Sequence, residues 1–176
     1  SYANIGWPRA ILNISGDYIH IKGLEISYNT QENSEGYYGL ILVNGNHNIF
    51  ELLDVHHNGG TGISIEYNST DNLILNCDVH HNADPLTTDK YGNAGGIGFS
   101  HIPAGLHNTV QGCRLWLNSD DGLDTYGSDC KITIDNCWAW YNGYLSEKFE
   151  LGGNGTGFKL GITRADYGNT ILRTIT

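Results

Sequence analysis

An asparagine returns along this chain inside a fixed frame, and that frame restricts the folds open to it. Aligned on the asparagine, the sequence gives Glu25-Ile-Ser-Tyr-Asn29, Asp54-Val-His-His-Asn58, Asp78-Val-His-His-Asn82, Arg114-Leu-Trp-Leu-Asn118 and Trp138-Ala-Trp-Tyr-Asn142. Three residues before it stand Ile26, Val55, Val79, Leu115 and Ala139; five before it, Leu24, Leu53, Cys77, Cys113 and Cys137; eight before it, Ile21, Phe50, Ile74, Val110 and Ile134. These columns are small or apolar and alternate with the period of a strand, so they point inward while Glu25, Asp54, Asp78, Arg114 and Trp138 point out. Gly23, Asn76, Gly112 and Asn136 fill the column where the strand must bend, and each asparagine is followed by a glycine and another strand: Gly39-Leu-Ile, Gly62-Ile-Ser, Gly96-Ile-Gly, Gly122-Leu-Asp and Gly157-Phe-Lys.

Short strands and turns repeating every two dozen residues or so, with no helical period, predict a right-handed parallel β-helix, an all-β solenoid spanning residues 1–176 as one domain. One coil cannot bury its apolar face alone. It stacks on its neighbours, and like residues form ladders about 4.8 Å apart. The asparagines at 29, 58, 82, 118 and 142 are expected to be such a ladder, with a structural role. The 176 residues include 24 glycines and 39% hydrophobic residues, so a core forms only by stacking. Rung-like segments at both ends, around 10–14 and 169–173, without an evident cap, predict a truncated set of rungs. No secretory leader is expected among these residues, and no apolar run in them is long enough to span a bilayer. A net charge of -10 argues against nucleic acid or an anionic membrane as partner, but not against an acidic polymer bridged by metal ions.

Cys77, Cys113 and Cys137 share an inward column and read as core, though stacking leaves one disulfide conceivable. The histidine pairs 56–57 and 80–81 stack, but no carboxylate pattern in the sequence supports a metal there; His56 and His80 share an outward column with Trp116 and Trp140. The sequons at Asn13, Asn68 and Asn154 say little without a host. Loop lengths say more. The gap from asparagine to glycine is short after Asn58 and Asn118, but insertions 30–38, 83–95 and 143–156 leave from the same corner and are expected to wall a groove.

Between the last two walls lies Asn118-Ser119-Asp120-Asp121-Gly122-Leu123-Asp124, answered by Gly157-Phe158-Lys159-Leu160. Asp124 and Lys159 each stand two residues after a column glycine, so the frame predicts that they are ladder neighbours. Three carboxylates within five residues repel unless a cation sits among them, and hard oxygen ligands at this density suit calcium. A calcium ion beside Lys159 would disfavour its ammonium and bring its pKa toward that of a usable base.

These segments, with Asn136-Cys-Trp-Ala-Trp-Tyr-Asn-Gly143 and Gly155-Thr-Gly-Phe-Lys-Leu-Gly161, resemble polysaccharide lyase family 9, the β-helical pectate lyases and their rhamnogalacturonan-cleaving relatives; the match is most specific from Asn93 to Gly161. The resemblance implies calcium ligands at Asp120, Asp121 and Asp124, a Brønsted base at Lys159, and calcium-assisted β-elimination on a pectic uronate polymer. It also implies a secreted, monomeric enzyme whose partner is an acidic plant cell-wall polysaccharide. Arg164, Tyr126, Trp116 and Trp140 are candidate sugar contacts by position and chemistry. One departure stands out: where the family carries a further calcium aspartate, this chain has Gly95, which leaves three alternatives open: weaker calcium binding, recruitment of Asp84, Asp89 or Asn93 from the long loop, or no calcium at all. Rhamnogalacturonan or another uronate polymer such as alginate as substrate, a hydrolase on the same solenoid, and a non-catalytic carbohydrate-binding module remain open alternatives.

Overall fold

In the computed structural model, residues 9–145, 148–161 and 170–172 are described. The first coil contains β1 (Arg9–Ile14), β2 (His20–Lys22) and β3 (Glu25–Ser27); the second β4 (Tyr37–Val43), β5 (Ile49–Glu51) and β6 (Asp54–His56). The third has β7 (Ile63–Glu66), β8 (Leu73–Leu75) and β9 (Asp78–His80), and the fourth β10 (Ile97–Ser100), β11 (His107–Gln111) and β12 (Arg114–Trp116). β13 (Leu123–Asp124), β14 (Lys131–Asp135) and β15 (Trp138–Trp140) form the fifth; β16 (Phe158–Lys159) and β17 (Thr170–Leu172) follow. Each coil gives one strand to each of three sheets: the first runs β1-β4-β7-β10-β13-β16, the second from β2 to β17, the third from β3 to β15. Every pairing between these strands is parallel. This is the expected parallel β-helix. Among the described residues no helix is long and apolar enough to cross a membrane.

The register follows the asparagine frame. Val55 pairs with Val79 and Val79 with Leu115, and the columns through Phe50, Ile74, Val110 and Ile134 and through Leu53, Cys77, Cys113 and Cys137 are buried in one core. Burying each large aliphatic side chain contributes about 1.5–3 kcal/mol, which a coil gains only against its neighbours. Leu24 departs from its column: it is 46% exposed, with no described coil beneath it. Cys77, Cys113, Cys130 and Cys137 are all free and buried, so the thiols pack as core and no disulfide joins them.

The asparagine column is a hydrogen-bonded ladder. The Nδ2 of Asn58 donates to Asn82 Oδ1 at 3.0 Å, that of Asn82 to Asn118 at 2.9 Å and that of Asn118 to Asn142 at 3.0 Å. The glycine that follows is dictated by this ladder. A Cβ on Gly96 would lie 2.9 Å from the Asn118 amide nitrogen and 2.6 Å from the Gly122 carbonyl oxygen, closer than real side chains approach. A second ladder, not foreseen, runs through Asn48, Asn72 and Asn108 at the opposite corner. The predicted bend column is left-handed, with φ between 52° and 70° at Gly23, Leu52, Asn76, Gly112 and Asn136. Glycine and asparagine enter that region at little cost; Leu52 does not.

Candidate active site

The short turn after Asn118 is clamped by the coils on either side. Below it, Asp120 N donates to Ala94 O and Ser119 N to Asn82 O. Above it, the 143–156 insertion folds over the carboxylates: Asn154 N donates to Asp120 Oδ1 at 2.7 Å and Thr156 N to Asp121 Oδ1 at 2.9 Å. Asp120 and Asp121 are therefore buried, while Asp124, on β13, remains partly open and accepts from Tyr126 N at 2.7 Å.

Asp124 and Lys159 are paired residues of adjacent strands, as the frame predicts. Lys159 Nζ donates to Asp121 Oδ2 at 2.9 Å and to Asp124 Oδ2 at 3.2 Å, and lies 5.8 Å from the centre of the Tyr126 ring. Burial works to lower the lysine pKa, but the hydrogen bonds and charges of Asp121 and Asp124 together outweigh it and hold the ammonium above its ordinary range. Asp120 and Asp124 are raised as well, here by burial. Burial, reinforced by the charges of Asp121 and Asp124, raises Asp120 to about 6; burial also raises Asp124, opposed by the Tyr126 amide and Lys159.

One ligand oxygen from each of Asp120, Asp121 and Asp124 can be chosen so that all lie within 4.8 Å of one another. A lysine ammonium already bridges two of these groups, so the place is built for positive charge. Three converging carboxylates match the donor chemistry of a hard divalent cation such as calcium, and these three residues would hold it. Position 95 is the next rung of the same column as Asp121: Gly62 N donates to Gly95 O, Gly96 N to Asp121 O and Gly122 N to Thr156 O. Neither Asp84 nor Asp89 belongs to the group of three carboxylates. Asp84 is buried and organises its own loop, accepting from Thr87, Asn93, Ala94 and Ser119. Asp89 and Asn93 line the groove.

The groove runs along the first sheet, with Lys159, Asp120, Asp124 and Tyr126 at one end and Ser64, Glu66 and Tyr38 toward the other. All three insertions contribute to its lining, as expected. Trp116 and Trp140 must be removed from the candidate sugar contacts. They lie on β12 and β15 of the third sheet, and Trp116 is sandwiched between His80 at 4.1 Å and Trp140 at 5.0 Å, so neither of its faces is free for a sugar ring. Tyr126 does line the groove; Arg164 lies outside the described residues. The histidine column has carboxylate neighbours that the sequence reading missed: His56 Nε2 is 3.2 Å from Glu25 and His80 Nε2 is 3.0 Å from Asp54. Glu66, on β7 in the groove, was also missed, because it stands four residues beyond its column glycine, outside the positions the frame tracked.

The same architecture recurs in known proteins. A family described as "Pel9A-like, right handed beta helix region" matches residues 3–176. The chain belongs to this Pel9A-like β-helix family. Pectate lyase L of Dickeya chrysanthemi is 38% identical over 179 aligned residues, covering 99% of this chain and 40% of that protein. Pectate lyase L of Thermoclostridium stercorarium is 32% identical over 85% of this chain. Among solved structures, pectate lyase Pel9A superposes with a TM-score of 0.79 at 36% identity over 94% of this chain and 39% of that one, and a rhamnogalacturonan lyase with 0.73 at 32% over 86% and 38%. The chain spans about 40% of the length of the Dickeya relatives. Family membership also supplies the hand of the Pel9A-like helix, which is right-handed as the repeat predicted.

Proposed function

We propose that this Pel9A-like chain carries the active site of a polysaccharide lyase that cleaves a pectic uronate polymer, polygalacturonate first, by β-elimination with Lys159 as the base. The observation that carries the reading is Lys159 Nζ on the floor of an open groove, 2.9 Å from Asp121 and 3.2 Å from Asp124. Support comes from the relatives named pectate lyase. The substrate is the uronate polymer of the plant cell wall, which places the site of action outside the cell, and a monomer suffices because every proposed group comes from one chain.

In this reading Asp120, Asp121 and Asp124 hold calcium. When bound there, calcium would supply positive charge against the substrate carboxylate and the negative charge developing on it. Burial lowers the Lys159 pKa while Asp121 and Asp124 raise it, so engaging these carboxylates with a cation would favour the neutral amine. Neutral Nζ then takes the proton from C5. The C5–H electron pair forms the C4–C5 double bond, the C4–O4 bond breaks, and water protonates the departing oxygen. Asn154 and Thr156 hold Asp120 and Asp121 through their backbone amides, fixing the site against the coil above.

The test is the ultraviolet absorbance of unsaturated product from polygalacturonate and from rhamnogalacturonan, with calcium or chelator, for the wild type and Lys159→Ala. The reading requires product that depends on Lys159 and is suppressed by chelator. Saturated products would identify a hydrolase instead, and a folded protein silent on both polymers would overturn lyase activity for this chain.

A further inference from the structure

The two ends of the groove differ in charge. Asp124 and Lys159 share an outward column with Gly98 and Ser64, and Glu66 stands in the next outward column, paired with Ser100. β7, β10, β13 and β16 are consecutive in the sheet, so Glu66 lies three strand spacings, about 14 Å, from the rung of Lys159. Glu66 is 9% exposed, lines the groove, and accepts from Ser64 Oγ at 2.9 Å. Burial raises its pKa against the opposing pull of Ser64 and His101. Tyr38 borders the same end; burial first, then the charges of Glu66 and Asp84, push its hydroxyl up to about 12, so it stays protonated and able to donate. Among the described residues lining the groove, Lys159 is the sole lysine or arginine.

We propose that Glu66 is a specificity-determining residue that makes this end of the groove accept an uncharged sugar unit, either a neutral sugar or a methyl-esterified uronate. This rests on the lyase reading above. A free uronate carboxylate entering beside Glu66 would meet a largely buried acid with no lysine or arginine beside it among the described residues lining this end of the groove, and like charges brought together this way discriminate strongly. The hydroxyls of Tyr38, Ser64 and Ser100 provide instead the neutral donors and acceptors that sugar hydroxyls use. The groove thus reads charge at the Lys159 end and its absence three rungs away.

The experiment compares wild type and Glu66→Gln, which keeps the shape and removes the charge, on polygalacturonate, highly methyl-esterified pectin and a rhamnogalacturonan backbone. The expected result is that the ratio of kcat/KM on polygalacturonate to that on esterified pectin rises about tenfold in the variant, mainly through KM on the charged polymer. Wild-type preference for rhamnogalacturonan over esterified pectin would assign the subsite to a neutral sugar, the reverse to an ester. Calorimetric binding of oligogalacturonate to both proteins reads the same charge without turnover, and thermal melts confirm that both are folded. An unchanged ratio with unchanged binding overturns the role of Glu66. Absence of product from all three polymers, with oligogalacturonate bound more tightly by Glu66→Gln, would sink the lyase reading and leave the subsite standing.

Discussion

Two turns of this molecule, 58–62 and 118–122, start from the same ladder asparagine, end on the same crowded glycine and have the same length, yet one is Gly59-Gly60-Thr61 and the other Ser119-Asp120-Asp121. The backbone is common to both: Gly59 N donates to Asn29 O as Ser119 N does to Asn82 O. What differs is the insertion packed against each. A Cβ on Gly59 would meet Gln31 Cγ at 2.4 Å, and one on Gly60 would meet Tyr37 N at 2.8 Å, so the 30–38 insertion leaves no room for side chains. The 143–156 insertion instead presents two backbone amides to Asp120 and Asp121. The charged turn is thus made by its wall as much as by its own residues.

Converting the charged turn to the bare one, Asp120→Gly with Asp121→Thr, should have the largest effect. Product formation falls about 10²- to 10⁴-fold, the loss expected when a general base is mispositioned, while the far-ultraviolet circular dichroism stays that of the β-helix. Retained activity would show that the carboxylates are not needed to set Lys159. Next comes the shared asparagine. Asn118→Ala removes the Nδ2 bonds to Val79 O and Asn142 Oδ1 and the Oδ1 that accepts from Asn82, and should cost about 3 kcal/mol in urea unfolding. Asn58→Ala should cost a similar amount without touching the carboxylates; a markedly smaller loss there would mean the two turns are not equivalent scaffolds.

Gly95→Asp adds a carboxylate one rung below Asp121, where a new Cβ meets only the Asp121 backbone at 3.2 Å and 4.0 Å. Calcium affinity by titration calorimetry should rise about tenfold, and no change would remove position 95 from the site. The coils of the uncharged turn should also be the acid-sensitive ones. Burial, then neighbouring imidazoles, pushes His81 down to about 4, and burial likewise lowers His57 and His80. The folded state favours neutral rings, so this contribution is complete above the unfolded value near 6.5 and is lost as pH falls from there toward 4. Thermal melts across that window should slope less for His81→Phe; an identical slope would locate the acid response elsewhere. The smallest effect is expected at Leu52→Asn, which relieves a left-handed leucine at φ 53° and should add up to about 1 kcal/mol to the unfolding free energy.

Much of this was legible in the sequence because a solenoid writes its third dimension as a repeat. Aligning asparagines sufficed to place Val55 over Val79, to separate inward from outward columns and to pair Asp124 with Lys159. Three things escaped. The contacts of His56 with Glu25 and of His80 with Asp54 run diagonally between rungs, two residues off the register. Trp116 looked like a sugar platform until stacking placed His80 against one face and Trp140 against the other. Glu66 lay beyond the columns anchored on asparagine and glycine, and only the sheet showed that it faces the same groove as Lys159.

The asparagine ladder joins residues 24 apart from Asn58 to Asn82, 36 apart from Asn82 to Asn118, and 24 apart again to Asn142. Its spacing in the chain is irregular while its spacing in space is constant. Such a scaffold measures position by storey, not by residue number, so the rim of the groove can be rebuilt by lengthening or shortening the segment between one asparagine and the next glycine without displacing the lysine on the floor. New ligand preferences in this architecture are reachable through insertion and deletion at a single corner, a route closed to folds in which a change of loop length shifts the register of everything that follows.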